Sequence, residues 1–402
     1  MTDETENENP ITRPLRLPCG AELKNRLAKS AMSDSLGNGE GDSTPTQARL
    51  YERWAQGGAA VSIVGEVQFD PHRAEKPGNL VLGPGCDRAA LHSLVTCGTA
   101  NGTHLWPQIG NAGALAYPPI SAPRGPSALE LDGLQCAALT IDEIRALPSR
   151  FAETARLARD IGFTGVQVHA AHGFLLSQFL SPLFNQRSDE YGGPIEARGR
   201  LLFEVIDAVR AAVGPDFPVA IKLNSSDQLE GGLTEEEALA VVDLLDECPI
   251  DLIDISGGTY FPGAKAASDA AGGGPYFLAF TERARRHTTK PLMTTGGFKR
   301  NKQVIEAVAG ATTDMVGLAR ALVIDPSLPQ RWLYSPSADP DFPRFASSPP
   351  GGVTAWYTMR LTALGEDRED RYDPDVASIL ETYEERDRRR CTAWIARFGT
   401  AV

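Results

Sequence analysis

Two histidines, His169 and His172, stand three positions apart. The first lies in the short β-branched segment Gly165–Ala170, and the second follows it directly after Ala171. Such a pair can bind a metal, donate hydrogen bonds to a developing oxyanion, or simply be satisfied within the structure. A metal site would need a third ligand, and the chain has neither an H-E-x-x-H helix nor a cysteine cluster to supply one. Two imidazoles at the end of one strand therefore favour a functional site, in which a metal is the weaker choice.

A lysine lies within an apolar segment. In Pro218–Asn224, alternation places Lys222 on the same face as Ala220 and Asn224. An ammonium group in a buried strand is costly unless an anion partners it. Either a nearby carboxylate pairs with Lys222 or the lysine faces an anionic ligand. Its position at the C-terminal end of the segment favours the ligand, because barrel enzymes build their sites there.

Two glycine-rich turns end the last two candidate strands. Barrels hold phosphate groups at these places with backbone N–H groups and a helix N-terminus. The turns therefore predict a phosphate-bearing cofactor, although the chain has no G-x-G-x-x-G fingerprint between a strand and a helix. The residues concerned are Gly296, Gly297, Gly317, Leu318, Ala319 and Arg320.

The elements that must position these residues form a repeat. Short apolar or β-branched runs alternate with longer helical patterns, which is typical of βα units around a parallel sheet. The helical patterns include Pro45–Gln56, Ile195–Val213 and Asn301–Ala309. Eight strands predict a closed (β/α)8 TIM barrel, an α/β fold with insertions on its βα loops. The candidate strands are Asn25–Ser33, Ala59–Val67, Gly102–Ile109, Gly165–Ala170, Pro218–Asn224, Asp251–Ser256, Pro291–Thr295 and Asp314–Leu318.

Three further regions complete the predicted organisation. Asn111–Gln135 and Gly257–Pro275 interrupt the repeat on βα connections, where each is either a lid or a tolerated surface insertion. Residues 1–14 are expected to be a disordered tail before a barrel of residues 15–334. Residues 335–402 contain two helical patterns, so we expect a C-terminal helical extension that packs on the barrel or on a neighbouring subunit.

Composition narrows the functional classes. Of 402 residues, 39 are Lys or Arg and 52 are Asp or Glu, which gives a net charge of −13. This acidic balance, with dispersed basic residues, argues against a nucleic-acid or membrane partner. The six cysteines are scattered, which indicates structural thiols in a reducing compartment. An acidic start without an apolar core is unlike a signal peptide, so we expect a cytoplasmic protein.

The stretch His169–Gly193 reads HAAHGFLLSQFLSPLFNQRSDEYGG. It is similar to the signature of the old yellow enzyme family of FMN-dependent oxidoreductases. Other residues of the chain occur in the same order as in that family: Leu23–Arg26, Gln108, Lys222 and the two glycine-rich turns. The resemblance therefore extends over about residues 15–333.

The resemblance implies an FMN across the barrel mouth. It places Ser33 near the flavin N5/O4 edge, Gln108 against the pyrimidine ring and Lys222 beside N1–O2, where a cation stabilises the negative charge of the reduced flavin. Gly297 and Arg320 would then hold the phosphate.

The resemblance also implies a reaction. His169 and His172 would hydrogen-bond a carbonyl oxygen of a small-molecule substrate and polarise its conjugated C=C, so that hydride passes from N5 to the β-carbon. NADH or NADPH would supply that hydride, and the sequence does not choose between them. Relatives form homodimers or larger assemblies, which makes a homodimer possible here.

Four positions depart from the family pattern. Phe174 replaces a tyrosine whose hydroxyl protonates the α-carbon, and phenylalanine has no proton to give. Asn111 stands in an altered segment after the third strand, and Ser35 replaces a substrate-facing tyrosine. With Tyr260, we assign these two residues to substrate binding. Glu66 is catalytic if burial raises its pKa enough to make it a proton donor, or else it pairs with Lys222 or an arginine.

The sequence leaves several functions open. The leading hypothesis is NAD(P)H-dependent reduction of an alkene conjugated to a carbonyl, made slower or more substrate-restricted by Phe174. The alternative keeps the same flavin site for a redox-neutral isomerisation, or for desaturation, of a specialised metabolite. A barrel that has lost catalysis, or a metal-dependent hydrolase or lyase on the two histidines, would be a different class of protein.

Overall fold

Parallel strands form the centre of the fold in a computed structural model that describes residues 9–131, 133–261, 274–335, 339–345 and 348–400. The C-terminal ends of the strands surround one opening, the mouth of the barrel. In chain order they are β1 (Leu27–Lys29), β2 (Val61–Gln68), β3 (His104–Gly110), β4 (Val166–Ala170), β5 (Val219–Asn224), β6 (Leu252–Ser256), β7 (Leu292–Thr295) and β8 (Met315–Leu318).

The sheet closes on itself. Each strand pairs in parallel with its neighbours in chain order, and β1 pairs with both β8 and β2. Ala28 is the residue at which closure is visible, because it lies opposite Gly317 on one side and Val61 on the other. The predicted (β/α)8 barrel is therefore confirmed. The first strand is shorter than predicted, because the segment Ser30–Ser33 leaves the sheet.

Helices surround the barrel. They are α1 (Pro45–Gln56), α2 (Arg88–Gly98), α3 (Ile141–Ile161), α4 (Leu175–Leu180), α5 (Ile195–Arg198), α6 (Arg200–Val213), α7 (Glu235–Asp246), α8 (Leu278–Ala284), α9 (Asn301–Ala309), α10 (Arg320–Ile324), α11 (Leu328–Tyr334), α12 (Gly352–Gly365) and α13 (Val376–Phe398).

Local sequence explains where several helices begin. Thr44 accepts a hydrogen bond from the Gln47 amide at the start of α1, and proline occupies the first turn of that helix. Thr234 and Glu237 form a capping box on α7. The single helix predicted over Ile195–Val213 is instead two, α5 and α6, with Gly199 between them.

The barrel interior has two layers of different character. Its lower layer is apolar and includes Trp106, Ala220, Met293 and Met315, all buried. The short hairpin that pairs Leu15 with Leu23 packs beneath this layer and closes the bottom. The layer above it is polar. Because the bottom is closed with apolar side chains, polar chemistry is confined to the mouth.

The C-terminal extension packs on the barrel of its own chain. Helix α12 contacts α1 and α10, and α13 packs on α12. Trp394 of α13 is buried beside Val81 and Ile120, and the Arg390 Nη1 atom donates a hydrogen bond of 2.7 Å to the backbone oxygen of Ser35. The extension therefore covers the β1–α1 connection next to the mouth.

The N-terminal segment and the first insertion both contain regular structure. Ile11 is fully buried within a short 3-10 helix, Pro10–Thr12, so residues before the predicted boundary at Leu15 also pack on the fold. In Asn111–Gln135, residues 124–125 and 129–131 pair with Leu134–Ala138. Most of Gly257–Pro275 lies outside the described residues.

Candidate active site

Lys222 forms a buried ion pair inside the barrel. Its Nζ atom lies 2.6 Å from Oδ2 of Asp254, and the two residues are register partners on β5 and β6. Both side chains are almost completely buried. Of the two possibilities for Lys222, the carboxylate partner is therefore present, and it lies on the face of the barrel that the alternation predicted.

A chain of hydrogen bonds extends this pair across the barrel. Asp254 accepts from Thr295 Oγ1 at 2.7 Å and from Gln167 Nε2 at 3.0 Å. Gln167 Oε1 in turn accepts from Gln108 Nε2 at 2.7 Å. All of these side chains are buried. The network fixes Gln108 and Lys222 in position, and Asp254 compensates the lysine charge.

Sequence reasoning missed Asp254, although a signal was present. In β6, Ile253 and Ile255 flank Asp254, so alternation places the aspartate on the face opposite to the isoleucines. The same argument that directed Lys222 inward applies to this strand. What the alternation lacks is the register between β5 and β6, which brings the two side chains together.

His169 presents an unused donor at the mouth. Its Nδ1 atom accepts a hydrogen bond of 3.3 Å from the Ala171 amide, which assigns the proton of a neutral imidazole to Nε2. The buried Nε2 atom has no hydrogen-bond partner among the residues that the structure describes. A buried donor without a partner is rare, so this N–H is suited to an oxygen atom of a ligand.

His172 lies beside it. The ring centroids of the two histidines are 5.2 Å apart, and His172 Nε2 is 2.9 Å from Ser256 Oγ. The backbone of His172 has a φ of 60° and donates to Asn224 Oδ1 at 3.0 Å. This left-handed conformation is unusual for a residue other than glycine, and the contact with Asn224 at the end of β5 stabilises it.

Both imidazoles are neutral. Burial, and then the charge of Lys222, lowers the pKa of His172 to about 3. Burial, followed by His172 and Lys222, holds the pKa of His169 well below its ordinary value. At neutral pH each ring therefore carries one N–H group, which can donate a hydrogen bond but brings no net charge to the site.

Phe174 stands at the position where the family pattern has a proton-donating tyrosine. Its buried ring contacts His169, with centroids 4.9 Å apart, and Tyr260, with centroids 5.9 Å apart. Tyr260 also lies 5.8 Å from the His172 ring and is 66% exposed. Aromatic surface thus covers one side of the histidine pair, and Tyr260 forms its outer edge.

Glu66 lies on a bulge of β2. The pairing of β2 with β3 shifts between Val64 and Val67, and Glu66 has a φ of 59°. Such bulges redirect side chains and are frequent beside active sites. Gly65 allows the bulge because a Cβ there would lie 2.0 Å from the Met32 backbone oxygen.

The partners of Glu66 are not those expected. The carboxyl group is buried and contacts Glu75 and Asn79. Within the described ranges it has no ion pair with Lys222 or with an arginine, so the expectation of such a pair is wrong. Burial, followed by the charge of Glu75, raises the pKa of Glu66 well above its ordinary value.

The other predicted ligand contacts are distributed around the mouth. Ser33 is half-buried after β1. Ser35 is buried with a φ of 52°, and its Oγ has no partner among the described residues. Asn111 Oδ1 accepts from the Gly113 amide at 2.8 Å, so this side chain shapes the turn after β3. Their roles toward substrate stay predictions.

The two glycine-rich turns line one pocket of about 100 Å³. Two cations reach it, Arg320 and Lys299, and none of the described residues that line it is acidic. Phe342 from the C-terminal extension forms an apolar wall, with the Lys299 Nζ atom 5.4 Å from its ring centroid. Sequence reasoning missed Lys299 and Phe342, although a basic residue two positions after Gly297 was a signal for the former.

These residues fit a flavin mononucleotide. The pocket offers backbone amides and two cations without a competing carboxylate, which suits a phosphate dianion. The network holds a cation, Lys222, at the centre of the mouth, and His169 offers an unpartnered donor nearby. A metal is a poorer fit, because no group of three His, Cys, Asp or Glu side chains converges within the described ranges.

Comparison with known families decides the class of protein. The model of the NADH:flavin oxidoreductase / NADH oxidase family matches residues 11–335. The chain belongs to this family. It is a member of the old yellow enzyme group and an FMN-dependent NAD(P)H oxidoreductase.

Relatives with known names support this assignment. The NADH-dependent flavin oxidoreductase iliE of Neonectria sp. (strain DH2) is 33% identical, over 81% of this chain and 47% of that protein. The NADH-dependent flavin oxidoreductase iccE of Talaromyces variabilis is 32% identical, over 89% of this chain and 98% of that protein. The chain thus spans about half of the Neonectria protein and nearly all of the Talaromyces protein.

Solved structures support the architecture. A complex of 2-naphthoyl-CoA reductase superposes with a TM-score of 0.76 at 25% identity, covering 80% of this chain and 52% of that one. Morphinone reductase superposes with a TM-score of 0.71 at 24% identity, covering 84% of this chain and 92% of that one. Among the described helices, none is long and apolar enough to cross a membrane.

Proposed function

We propose that this enzyme passes hydride from NADH or NADPH to a small-molecule alkene that is conjugated to a carbonyl group. The observation that carries the proposal is the Nε2–H of His169, which has no partner in the part of the chain that the structure describes and lies next to the neutral ring of His172. Two neutral N–H donors in a buried site suit an oxygen that gains negative charge during the reaction.

Each residue of the mouth has a part in this reaction. His169 and His172 hold the carbonyl oxygen and stabilise the enolate that forms on it. The Lys222–Asp254 pair and Gln108 hold the flavin pyrimidine, while Arg320, Lys299 and the glycine-rich turns hold the phosphate. Bound FMN supplies the hydride.

The aromatic side of the site limits the reaction. Phe174 packs on His169 and has no proton to donate, so the α-carbon must receive its proton from another group. The rings of Phe174 and Tyr260 cover a flat face and favour substrates that are themselves flat and apolar next to the carbonyl.

The test is an anaerobic assay with 2-cyclohexenone as the probe and NADH or NADPH as the reductant. We expect one NAD(P)H oxidised for each alkene reduced, and a loss of about 10²- to 10³-fold in turnover for His169→Ala, with FMN still bound. His92→Ala, on the exposed face of α2, is the matched control and should match the wild type.

Two results would contradict the proposal. Substrate converted without net consumption of NAD(P)H would support isomerisation by the same site instead. Equal turnover in His169→Ala and His92→Ala would remove the histidine pair from the reaction. Light scattering of the same samples tests the predicted homodimer.

A further inference from the structure

Two carboxyl groups meet beside the active site without a cation between them. Glu66 on the β2 bulge contacts Glu75 through their side chains. Asn79 holds both: its Nδ2 atom lies 3.4 Å from Glu66 Oε2, and its Oδ1 accepts from the Glu75 amide at 3.1 Å. The Oε2 atom of Glu75 is buried and has no partner among the described residues.

This arrangement requires a proton. Two carboxylates in contact oppose ionisation of both, because each charge raises the cost of the other, and the Glu66 carboxyl group and the Oε2 atom of Glu75 are buried. The nearest cation, Lys76, has its Nζ atom over the Tyr117 ring, 4.9 Å from the centroid. One proton shared between the two carboxyl groups satisfies the unpartnered oxygen and removes one of the two charges.

The pair borders the substrate side of the mouth. Gln68, two residues after Glu66, is the register partner of Gly110, and a Cβ at Gly110 would lie 3.5 Å from Cβ of His169. Glu66 also lies within electrostatic range of the Tyr260 hydroxyl, and the Tyr260 ring contacts both Phe174 and His172. Glu66 therefore lies on the side of the mouth where Tyr260 covers the histidine pair.

We propose that Glu66, sharing a proton with Glu75, donates the proton to the α-carbon in the role that a tyrosine at position 174 would otherwise fill. Glu75 is a positioning residue that keeps Glu66 protonated. This inference rests on the alkene reduction proposed above and names its proton donor.

The step balances. When hydride reaches the β-carbon, the π electrons of the alkene move toward the carbonyl and form an enolate whose oxygen His169 and His172 hold. The O–H bond of Glu66 then breaks, its proton forms the new C–H bond at the α-carbon, and its electron pair stays on the carboxylate. Water returns one proton to the Glu66–Glu75 pair before the next turnover.

The C-terminal helix offers a path for that return. Unpartnered buried polar atoms lie where α13 covers the β1–α1 connection: Ser35 Oγ, Glu75 Oε2, Arg386 Nε and Nη2, and Asp387 Oδ1. Such groups are normally satisfied by ordered water. Tyr383 of α13 lies within electrostatic range of both Glu75 and Asp387.

The first test replaces Glu66 by glutamine. Glu66→Gln should lower 2-cyclohexenone turnover by about 10²- to 10⁴-fold, while reduction of the bound flavin by NAD(P)H keeps its rate. Glu40→Gln, an exposed residue of the β1–α1 connection, is the control and should match the wild type. Adding Phe174→Tyr to Glu66→Gln should restore turnover at least tenfold, which a merely structural role of Glu66 would not predict.

The second test keeps Glu66 and changes its neighbour. Glu75→Gln removes the opposing charge, so the pKa of Glu66 falls and the loss of turnover at rising pH begins at a lower pH. Infrared spectra of the wild type at pH 7 should contain a protonated carboxyl band that Glu66→Gln lacks, a result that does not depend on activity.

The outcomes separate the two proposals. Equal turnover in Glu66→Gln and Glu40→Gln, or an unshifted pH profile in Glu75→Gln, would overturn the proton donor while leaving alkene reduction in place. A Tyr260→Phe variant that loses turnover while Glu66→Gln retains it would assign the donor to Tyr260 instead. A wild type that reduces no enone would overturn the proposed function, and the infrared band would still decide whether Glu66 holds a proton.

Discussion

The mouth of the barrel contains two polar regions that stabilise buried carboxyl groups in different ways. In the first, the central network, Lys222 and Asp254 pair directly and every carboxylate oxygen of Asp254 has a donor. In the second, the acidic cluster, Glu66 and Glu75 meet with one weak amide contact and an oxygen left without a described partner.

The difference separates positioning from reactivity. The central network holds a fixed charge in a fixed place, because moving either ion would leave the other uncompensated. The acidic cluster has one proton to share and unsatisfied atoms around it, so its protonation can change at low cost. A site for transferring protons needs the second kind of region, whereas a site for holding a cofactor needs the first.

The largest expected effect comes from breaking the central network. Lys222→Met leaves Asp254 buried and ionised without a cation, which should destabilise the protein by about 3–5 kcal/mol in urea unfolding. Lys302→Met, whose side chain is 84% exposed, is the control and should change stability little. If the two variants unfold alike, the ion pair does not stabilise the mouth as the comparison requires.

The double variant sharpens this result. In Lys222→Met/Asp254→Leu both charges are gone, so most of the lost stability should return, because the cost arises from the unpaired ion rather than from the lost contact. A double variant as unstable as Lys222→Met would show that packing, and not charge, dominates the centre of the barrel.

A matched pair of hydroxyl deletions compares the central network with the buried polar atoms near the acidic cluster. Thr295→Val removes the donor to Asp254 Oδ1 and should cost about 1.5–3 kcal/mol, since the bond ends on a charge. Ser35→Ala removes a buried hydroxyl with no partner among the described residues and should change stability by less than about 0.5 kcal/mol. Equal costs, measured by urea unfolding, would mean that both regions are satisfied alike.

The acidic cluster should also make the stability of the protein depend on pH. Because burial and Glu75 raise the pKa of Glu66 in the folded protein, its protonated form contributes stability that is complete below about pH 4.3, the unfolded value. That contribution is lost as the pH rises through the folded pKa. Wild-type stability should therefore fall relative to Glu66→Gln by up to about 1.4 kcal/mol per pH unit.

Urea unfolding of both proteins between pH 5 and pH 8 measures this slope. Glu40→Gln serves as the control, because its exposed carboxyl should leave the slope of the wild type unchanged. Parallel stability curves for the wild type and Glu66→Gln would contradict a shared proton in the cluster.

Much of the barrel could be predicted from the chain alone, because alternation and capping act over a few residues. All eight strands lie where apolar runs indicated them, and α1 and α9 have the predicted ends. Helix α4 was missed because all six of its residues are buried, so its sequence has no amphipathic period. The break at Gly199 was missed for a similar reason, since the apolar pattern continues through it.

The residues of the candidate site also differ in whether the sequence could predict them. Phe174, the histidine pair and the glycine-rich turns are readable because their residue types limit their chemistry wherever they lie. The partners of Lys222 and Glu66 were not readable, because each could pair with any charge that the fold brings near. Phe342 of the C-terminal extension reaches the phosphate pocket, and no local pattern predicts that contact.

The sequence by itself determined the barrel, through periodicity, and a phosphate-bearing cofactor, through glycine placement. Its resemblance to the old yellow enzyme family implied the flavin and the missing hydroxyl at position 174. Only the tertiary structure decided that Asp254 neutralises Lys222 while Glu66 meets another acid. The physical reason is that charge pairing depends on strand register, on barrel closure and on the bulge that carries Glu66. These are set by contacts between distant parts of the chain.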